Sequence, residues 1–411
     1  MRVATLADFR RRSLRQRRAV LDSRVVESAR RTIAAVRRRG DAAVLEDVRR
    51  FDHGAARARD LYVTARALRA AARRCPPDLR RAIDRAYASI LAVHRAQRPR
   101  AIAHRGHPFR VDLVPEALGR VGGCVPRGAV GYPSTALMIG APAAVAGVGE
   151  LVIASPMPRD GSLDPVLAYA AIRAGASALY RAGGAAAVAA LAYGTESLPR
   201  VDAVVGPGNA YTTAAKWLAS ADVGIDSLAG PSELVVIASG DADAAAIVLD
   251  LEAQAEHGGG PFAALISTSM PLLRTVARAI DRLGAPRGAV GLYHAPSLPL
   301  ALDAAAEAAP EHLSLAGHRA ERLAPRAKRA GAVFVGSRTA VAFGDYVAGS
   351  NHVLPTGGTA RWASPLRVDD LVRWTARVRA TGPLRAAAYW GAAVARYEGM
   401  KYHAASMELR G

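Results

Sequence analysis

The feature that most restricts the fold lies beyond Arg120, where short apolar runs alternate with alanine-rich stretches of helical length. Runs at 121–125, 151–155, 178–182 and 203–206 are too short for helices and too apolar for half-exposed strands. Between them, 134–146, 164–174, 185–191 and 210–219 carry helical spacing. Strand and helix in strict alternation predict a parallel sheet covered on both faces. A second series follows Gly230-Pro231, with strands at 234–238, 262–267, 290–294 and 333–336 and helices at 242–256, 271–283, 299–308 and 319–330. The expected class is α/β, two doubly wound Rossmann-like parallel-sheet domains in tandem. Ligands are then expected beyond the carboxyl ends of the strands.

Helical segments flank this pair. Apolar residues recur at three-to-four spacing in 25–39, 42–51, 66–74 and 78–96, broken at Gly40-Asp41 and Cys75-Pro76-Pro77. Helices at 368–378 and 384–398 precede a short tail. The expected division is 1–119, a helical segment packing with the second α/β unit; 120–231, the first Rossmann-like domain; 232–365, the second; and 366–411, a helical tail.

Charge narrows the functional classes. The chain has a formal net charge of +20, yet only three of its 55 basic residues are lysines. The arginines occur in every segment rather than in one stripe, and aromatics, at 5%, do not interleave with them as base stacking would require. No nucleic-acid partner is expected. No apolar run has the length of a membrane span. The N-terminus reads as a charged surface arm, not a secretory signal. Two cysteines cannot build a disulfide framework, so a cytoplasmic protein with reduced thiols is expected.

The dinucleotide fingerprint, the P-loop and the zinc-protease helix motif are all missing. Three glycine turns, Gly122-Gly123, Gly183-Gly184 and Gly206-Pro207-Gly208-Asn209, each follow a strand and precede a helix, where backbone N–H groups can face an anion. Each is equally ordinary strand–helix turn chemistry. Histidines beside carboxylates or amides say more: Gln254 with His257, Asp345 with His352, Glu311 with His312 at a helix end, and Glu398 with His403. Imidazole, amide oxygen and carboxylate suit zinc, but spacing does not tell which of them converge.

Several strings identify a relationship. AGPSE (229–233), QAEH (254–257), PEHL (310–313), GDYVAGSNHVLPTGGTAR (344–361) and EGMKYHAASMELR (398–410), with GGAAAVAALAYGTES (183–197) and GPGNAY (206–211), resemble the segments of histidinol dehydrogenases, in family order. The resemblance implies one zinc ion per subunit held by Gln254, His257, Asp345 and His403, the last supplied across a homodimer with a shared active site. It implies Glu311 and His312 as the acid–base pair. Substrate would be bound by Ser232, Gln254, His257, His312, Asp345, His352, Glu398 and His403, and cofactor at Cys124, Ala186 and Asn209. The reaction implied is oxidation of the amino alcohol L-histidinol through its aldehyde to L-histidine, with two NAD⁺ consumed, in histidine biosynthesis. Alternatives are a paralogue acting on another amino alcohol or a polar diol, or a silent member of the family. The chain departs from the family where Cys124 replaces a tyrosine, Arg127 a glycine and Ala186 a glutamine. Those changes leave NAD against NADP open and predict weakened NAD⁺ binding, which an Arg127–phosphate contact could offset.

Overall fold

The computed structural model describes residues 1–18, 21–257, 260–283 and 289–411. It divides into two compact units, Met1–Gln97 with Leu118–Leu371, and Arg98–Ala117 with Val372–Gly411.

The larger unit holds the two expected sheets. In the first, the strand order is Tyr62–Thr64, Ala178–Tyr180, Glu150–Ala154, Arg120–Cys124, Ala203–Val205 and Gly224–Ile225. Every neighbour is parallel except the outermost, Tyr62–Thr64. The second runs Val3–Thr5, Val290–His294, Phe262–Ser267, Glu233–Ala238, His312–Ala316 and Ala332–Val335, parallel throughout. The central strands are wholly buried because helices cover both faces, as their unbroken apolar character requires.

Three expectations are corrected. The N-terminal arm is no loose appendage: Val3–Thr5 adds an edge strand to the second sheet, and Phe9 of the helix Leu6–Arg18 is fully buried against Tyr293; residues 19 and 20 of that arm lie outside the described residues. The remaining N-terminal helices cover the first sheet instead of the second. Ser23–Arg39 lies on Gly184–Tyr193 and Ala210–Ala219, and Pro77–Arg95 on Pro133–Ala146. Residues 319–330 break into a single turn, His318–Glu321, and a 3₁₀ turn, Ala324–Arg326, where Pro325 interrupts the ladder.

The strand His312–Ala316 escaped prediction because it is short and opens on a charged pair. Locally its start is well determined. The helix Leu298–Ala308 ends on Ala309 in the left-handed region (φ 47°), and Pro310 cannot continue it. The chain therefore swings straight into the centre of the sheet at His312.

The expected helix 368–378 is instead a 3₁₀ turn, Val368–Leu371, that ends the larger unit, followed by the strand Val372–Ala380 of the smaller one. Its alternating Trp374, Ala376 and Val378 pair antiparallel with Phe109–Ala117, which also pairs with Ile102–Arg105. Pairing overrides the helical spacing read from sequence. The helices Arg385–Tyr397 and Lys401–Glu408 form a hairpin whose buried cluster is Ala392, Ala395 and Ala404, with Met407 packed against it. No described helix is long and apolar enough to cross a membrane.

Candidate active site

Two parallel strands of the second sheet begin side by side, Glu233–Ala238 and His312–Ala316, with Leu234 opposite His312. Their first residues form a closed polar knot. Glu311 Oε2 accepts from the Ser232 hydroxyl at 2.6 Å and from the Glu233 N–H at 2.8 Å. Glu233 Oε2 in turn accepts from the Glu311 N–H at 3.3 Å. The His312 ring lies 3.1 Å by Nδ1 from the Glu233 carbonyl. A carbonyl only accepts, so Nδ1 carries a proton and, in the neutral ring, Nε2 holds the lone pair. Glu311, His312 and Glu233 are all buried. A carboxylate held by two donors and an imidazole fixed in one tautomer are prepared for proton transfer. The site therefore lies at the amino ends of these strands, opposite to the expectation for such a sheet.

His352 lies in the irregular stretch after the short helix Ala342–Tyr346. Its Nδ1 donates to the Asp345 carbonyl at 3.0 Å, and its Nε2 meets the Thr135 hydroxyl at 3.3 Å. Thr135 opens the helix that follows the strand Arg120–Cys124, so this contact joins the carboxyl end of the first sheet to the site in the second. Burial lowers the His352 pKa, with Asp345 acting against it. Asn351, one residue earlier, is held by His94 and the Met138 carbonyl.

The metal-ligand candidates divide between the units. Gln254 is buried at the end of the helix Ala244–Ala255, and its Nε2 has no hydrogen-bond partner. Rotating the amide exchanges nitrogen for oxygen, so a buried acceptor is on offer. His257, just beyond the helix, gives its Nδ1 proton to the Ala253 carbonyl at 3.2 Å, which leaves Nε2 as a ligand atom. Asp345 lies on a helix tied to the same region, since Asp250 Oδ1 accepts from the Val341 N–H at 3.4 Å. Tyr346 beside it has its pKa raised by burial and then by Asp345, Tyr132 and Glu256. Among the described residues no three His, Cys, Asp or Glu side chains form a cluster able to hold a metal. The donor types nevertheless fit zinc, and the orphaned Gln254 amide fits a ligand. His403 and Glu398 belong to the smaller unit, both exposed.

At the carboxyl end of the first sheet Asn209 caps the helix Ala210–Ala219, its Oδ1 accepting from the N–H groups of Tyr211 and Thr212. Its amide NH₂ stays available to a ligand. Cys124 and Ala186 are buried in one apolar cluster. Burial pushes the Cys124 thiol up to about 12, so it stays protonated at neutral pH. Arg127 is not isolated: Asp52 and Asp160 both feel its charge, as does Arg181.

Residues 15–411 match the family model described as histidinol dehydrogenase. The chain belongs to the histidinol dehydrogenase family. A histidinol dehydrogenase of Synechococcus sp. is 42% identical over 398 residues, covering 93% of this chain and 91% of that protein. One of Moorella thermoacetica is 42% identical, covering 94% of each. A crystal structure of histidinol dehydrogenase from Elizabethkingia anophelis superposes with a TM-score of 0.86 at 27% identity, covering 93% and 91% of the two chains. The chain is thus an oxidoreductase of the alcohol and aldehyde type. Sequence reading missed Glu233 and Thr135. Glu233 lies inside a quoted string and could have been found there; Thr135 carries no local signal.

Proposed function

We propose that the chain oxidises L-histidinol to L-histidine through the aldehyde, using two NAD⁺, and that it works as a homodimer with a shared site. The observation that carries this is the Glu311–His312 knot, a fixed carboxylate beside a fixed imidazole base.

His312 Nε2 takes the carbinol proton as hydride leaves the carbon. The aldehyde must be hydrated before a second hydride can leave. Glu311, oriented by Ser232 and Glu233, takes a proton from the attacking water, and His312 takes the hydroxyl proton of the hydrate in the second oxidation. The sum is one alcohol, one water and two NAD⁺ giving one carboxylate, two NADH and three protons. A zinc ion held by Gln254, His257, Asp345 and His403 of the partner subunit would orient and polarise the amino alcohol, and oxidised NAD would supply the hydride acceptor. Ser232, His352 and Glu398 orient the substrate around that centre.

Dimerisation is supported by the smaller unit. Trp390 is 68% exposed, Tyr389 65% and Val394 57% on a hairpin with almost no core of its own. Apolar surface of this kind marks an interaction site. The test is NADH formation from L-histidinol, its loss to a chelator and its return with zinc. Mixing His312→Ala with His403→Ala chains after joint refolding tests the shared site. If each site draws residues from both chains, random pairing restores about a quarter of parental activity. Two inactive parents that stay inactive when mixed, while forming mixed dimers, would sink the shared site.

A further inference from the structure

The larger unit buries a charged pair that the proposed chemistry does not use. Lys216, on the inner face of the helix Ala210–Ala219, is ion-paired with Asp226, just past the edge strand Gly224–Ile225, with side chains 2% and 3% exposed. Both partners grip the same residue. Lys216 Nζ donates to the Gly206 carbonyl at 3.0 Å, and Asp226 Oδ2 accepts from the Gly206 N–H at 2.7 Å. Gly206 has left the strand Ala203–Val205 in a conformation with φ 104°, and a Cβ there would collide with the Cys124 carbonyl. The ion pair thus supplies both backbone hydrogen bonds that the sheet no longer provides. It also locks the first residue of the turn 206–209 against the end of the neighbouring strand.

A buried ion pair seldom adds net stability over apolar residues of similar size. This one is aimed at a single peptide unit, at the turn that delivers Asn209. We infer that Lys216 and Asp226 are positioning residues for dinucleotide binding: they hold the turn 206–209 so that its N–H groups and the free amide NH₂ of Asn209 meet the cofactor. This rests on the reading above that NAD binds at the carboxyl end of the first sheet. The pair's hydrogen bonds run to Gly206 and to each other, not to Ser232, Glu311, His312 or the metal-ligand candidates, so its influence should fall on the cofactor.

The experiment compares the parent with Lys216→Met and Lys216→Met/Asp226→Asn. The single variant leaves a buried carboxylate unpaired and is expected to be less stable. The double variant removes both charges, restores most of that stability and keeps an acceptor for the Gly206 N–H, but the Gly206 carbonyl has still lost its ammonium. A hydrogen bond to a charged group is strong enough that its loss here should raise the KM for NAD⁺ at least about tenfold. The dissociation constant of L-histidinol, measured by calorimetry, should stay within about twofold, because no histidinol contact changes. Hydrogen exchange of the amides in 206–211, read without ligand, should accelerate in the double variant, whereas a merely structural pair would leave it parental once stability is restored. A double variant with parental NAD⁺ KM overturns the inference, even if exchange rises. A parent that makes no NADH from L-histidinol overturns instead the functional reading on which it rests.

Discussion

The two six-stranded sheets of the larger unit are built alike and used at opposite ends. In the first, glycine turns, Asn209 and the Lys216–Asp226 pair gather where the strands finish. In the second, Ser232, Glu233, Glu311 and His312 gather where the strands begin. The rule that ligands bind beyond the carboxyl ends rests on helix N-termini following the strands, which favour anions. A phosphate-bearing ligand can use that field. A proton-transfer pair does not need it; it needs burial and fixed partners, and these the start of a central strand can provide, since backbone groups there are not yet all paired within the ladder. On the function proposed above, the difference would separate binding of the charged co-substrate from the proton chemistry.

The sharpest way to break this division is to injure the second sheet's amino end. His312→Ala should lower kcat for both oxidations by about 10²–10⁴-fold, the usual contribution of a general base, with the KM for NAD⁺ little changed. Glu311→Gln keeps the hydrogen bonds from Ser232 and Glu233 but cannot take a proton from water. Its loss should fall on aldehyde to acid, measured with the aldehyde supplied directly. Equal small losses on both substrates would refute the roles assigned here.

The complementary injury is at the first sheet. Two missing contacts, each worth roughly 1 kcal/mol, predict NAD⁺ binding about one to two decades weaker than a tyrosine and glutamine would give. Both side chains are enclosed in one apolar cluster, so Ala186→Gln and Cys124→Tyr should be made singly and checked for folding first. A folded variant that binds NAD⁺ no better than the parent shows the departures to be neutral. Asp52 and Asp160 already share the field of Arg127, which opposes its pairing with a phosphate; NADP⁺ should accordingly bind no better than NAD⁺.

The alternating series was legible because both sheets are buried on both faces, and buried strands read as continuous apolar runs. The two sheets themselves and nearly all of their covering helices follow from that. What was illegible depended on partners far away in the chain. Val3–Thr5 and Tyr62–Thr64 are three-residue edges that exist only because a sheet is there to receive them. Val372–Ala380 reads helical until Phe109–Ala117 lies beside it. For the site, residue types and motif strings named Glu311, His312 and Ser232, but not the register that sets Leu234 against His312 and so brings Glu233 to the pair. Lys216 could be read only as one of three lysines.

The smallest predicted effect tests the joint between the sheets. His94 is fully buried on the helix Pro77–Arg95, its Nδ1 2.8 Å from the Ile90 carbonyl, so Nε2 is the acceptor for the Asn351 amide at 3.2 Å. That amide also donates to the Met138 carbonyl at 2.8 Å, while Asn351 Oδ1 accepts from the Val353 N–H at 2.9 Å. The Asn351 amide finds its acceptor on Nε2 only while His94 is neutral, although the Leu366 carbonyl also meets the ring and favours the charged form. A proton on Nε2 would set donor against donor, and turning the amide over would forfeit the Met138 and Val353 bonds. Burial accordingly holds the His94 pKa below its usual value, with its hydrogen bonds to backbone opposing. A pKa lower in the folded than in the unfolded state means the unfolded chain binds more protons between the two values, so stability rises with pH there. The contribution should be complete above the ordinary histidine pKa of about 6.5 and be lost as pH falls below it. Thermal unfolding of the parent across that range should show the fall, and His94→Gln, which does not titrate, should flatten it. Because Asn351 precedes His352, the parent's KM for L-histidinol should rise over the same pH interval more than that of His94→Gln does. Identical pH slopes in parent and variant would mean that the joint does not depend on the charge of His94.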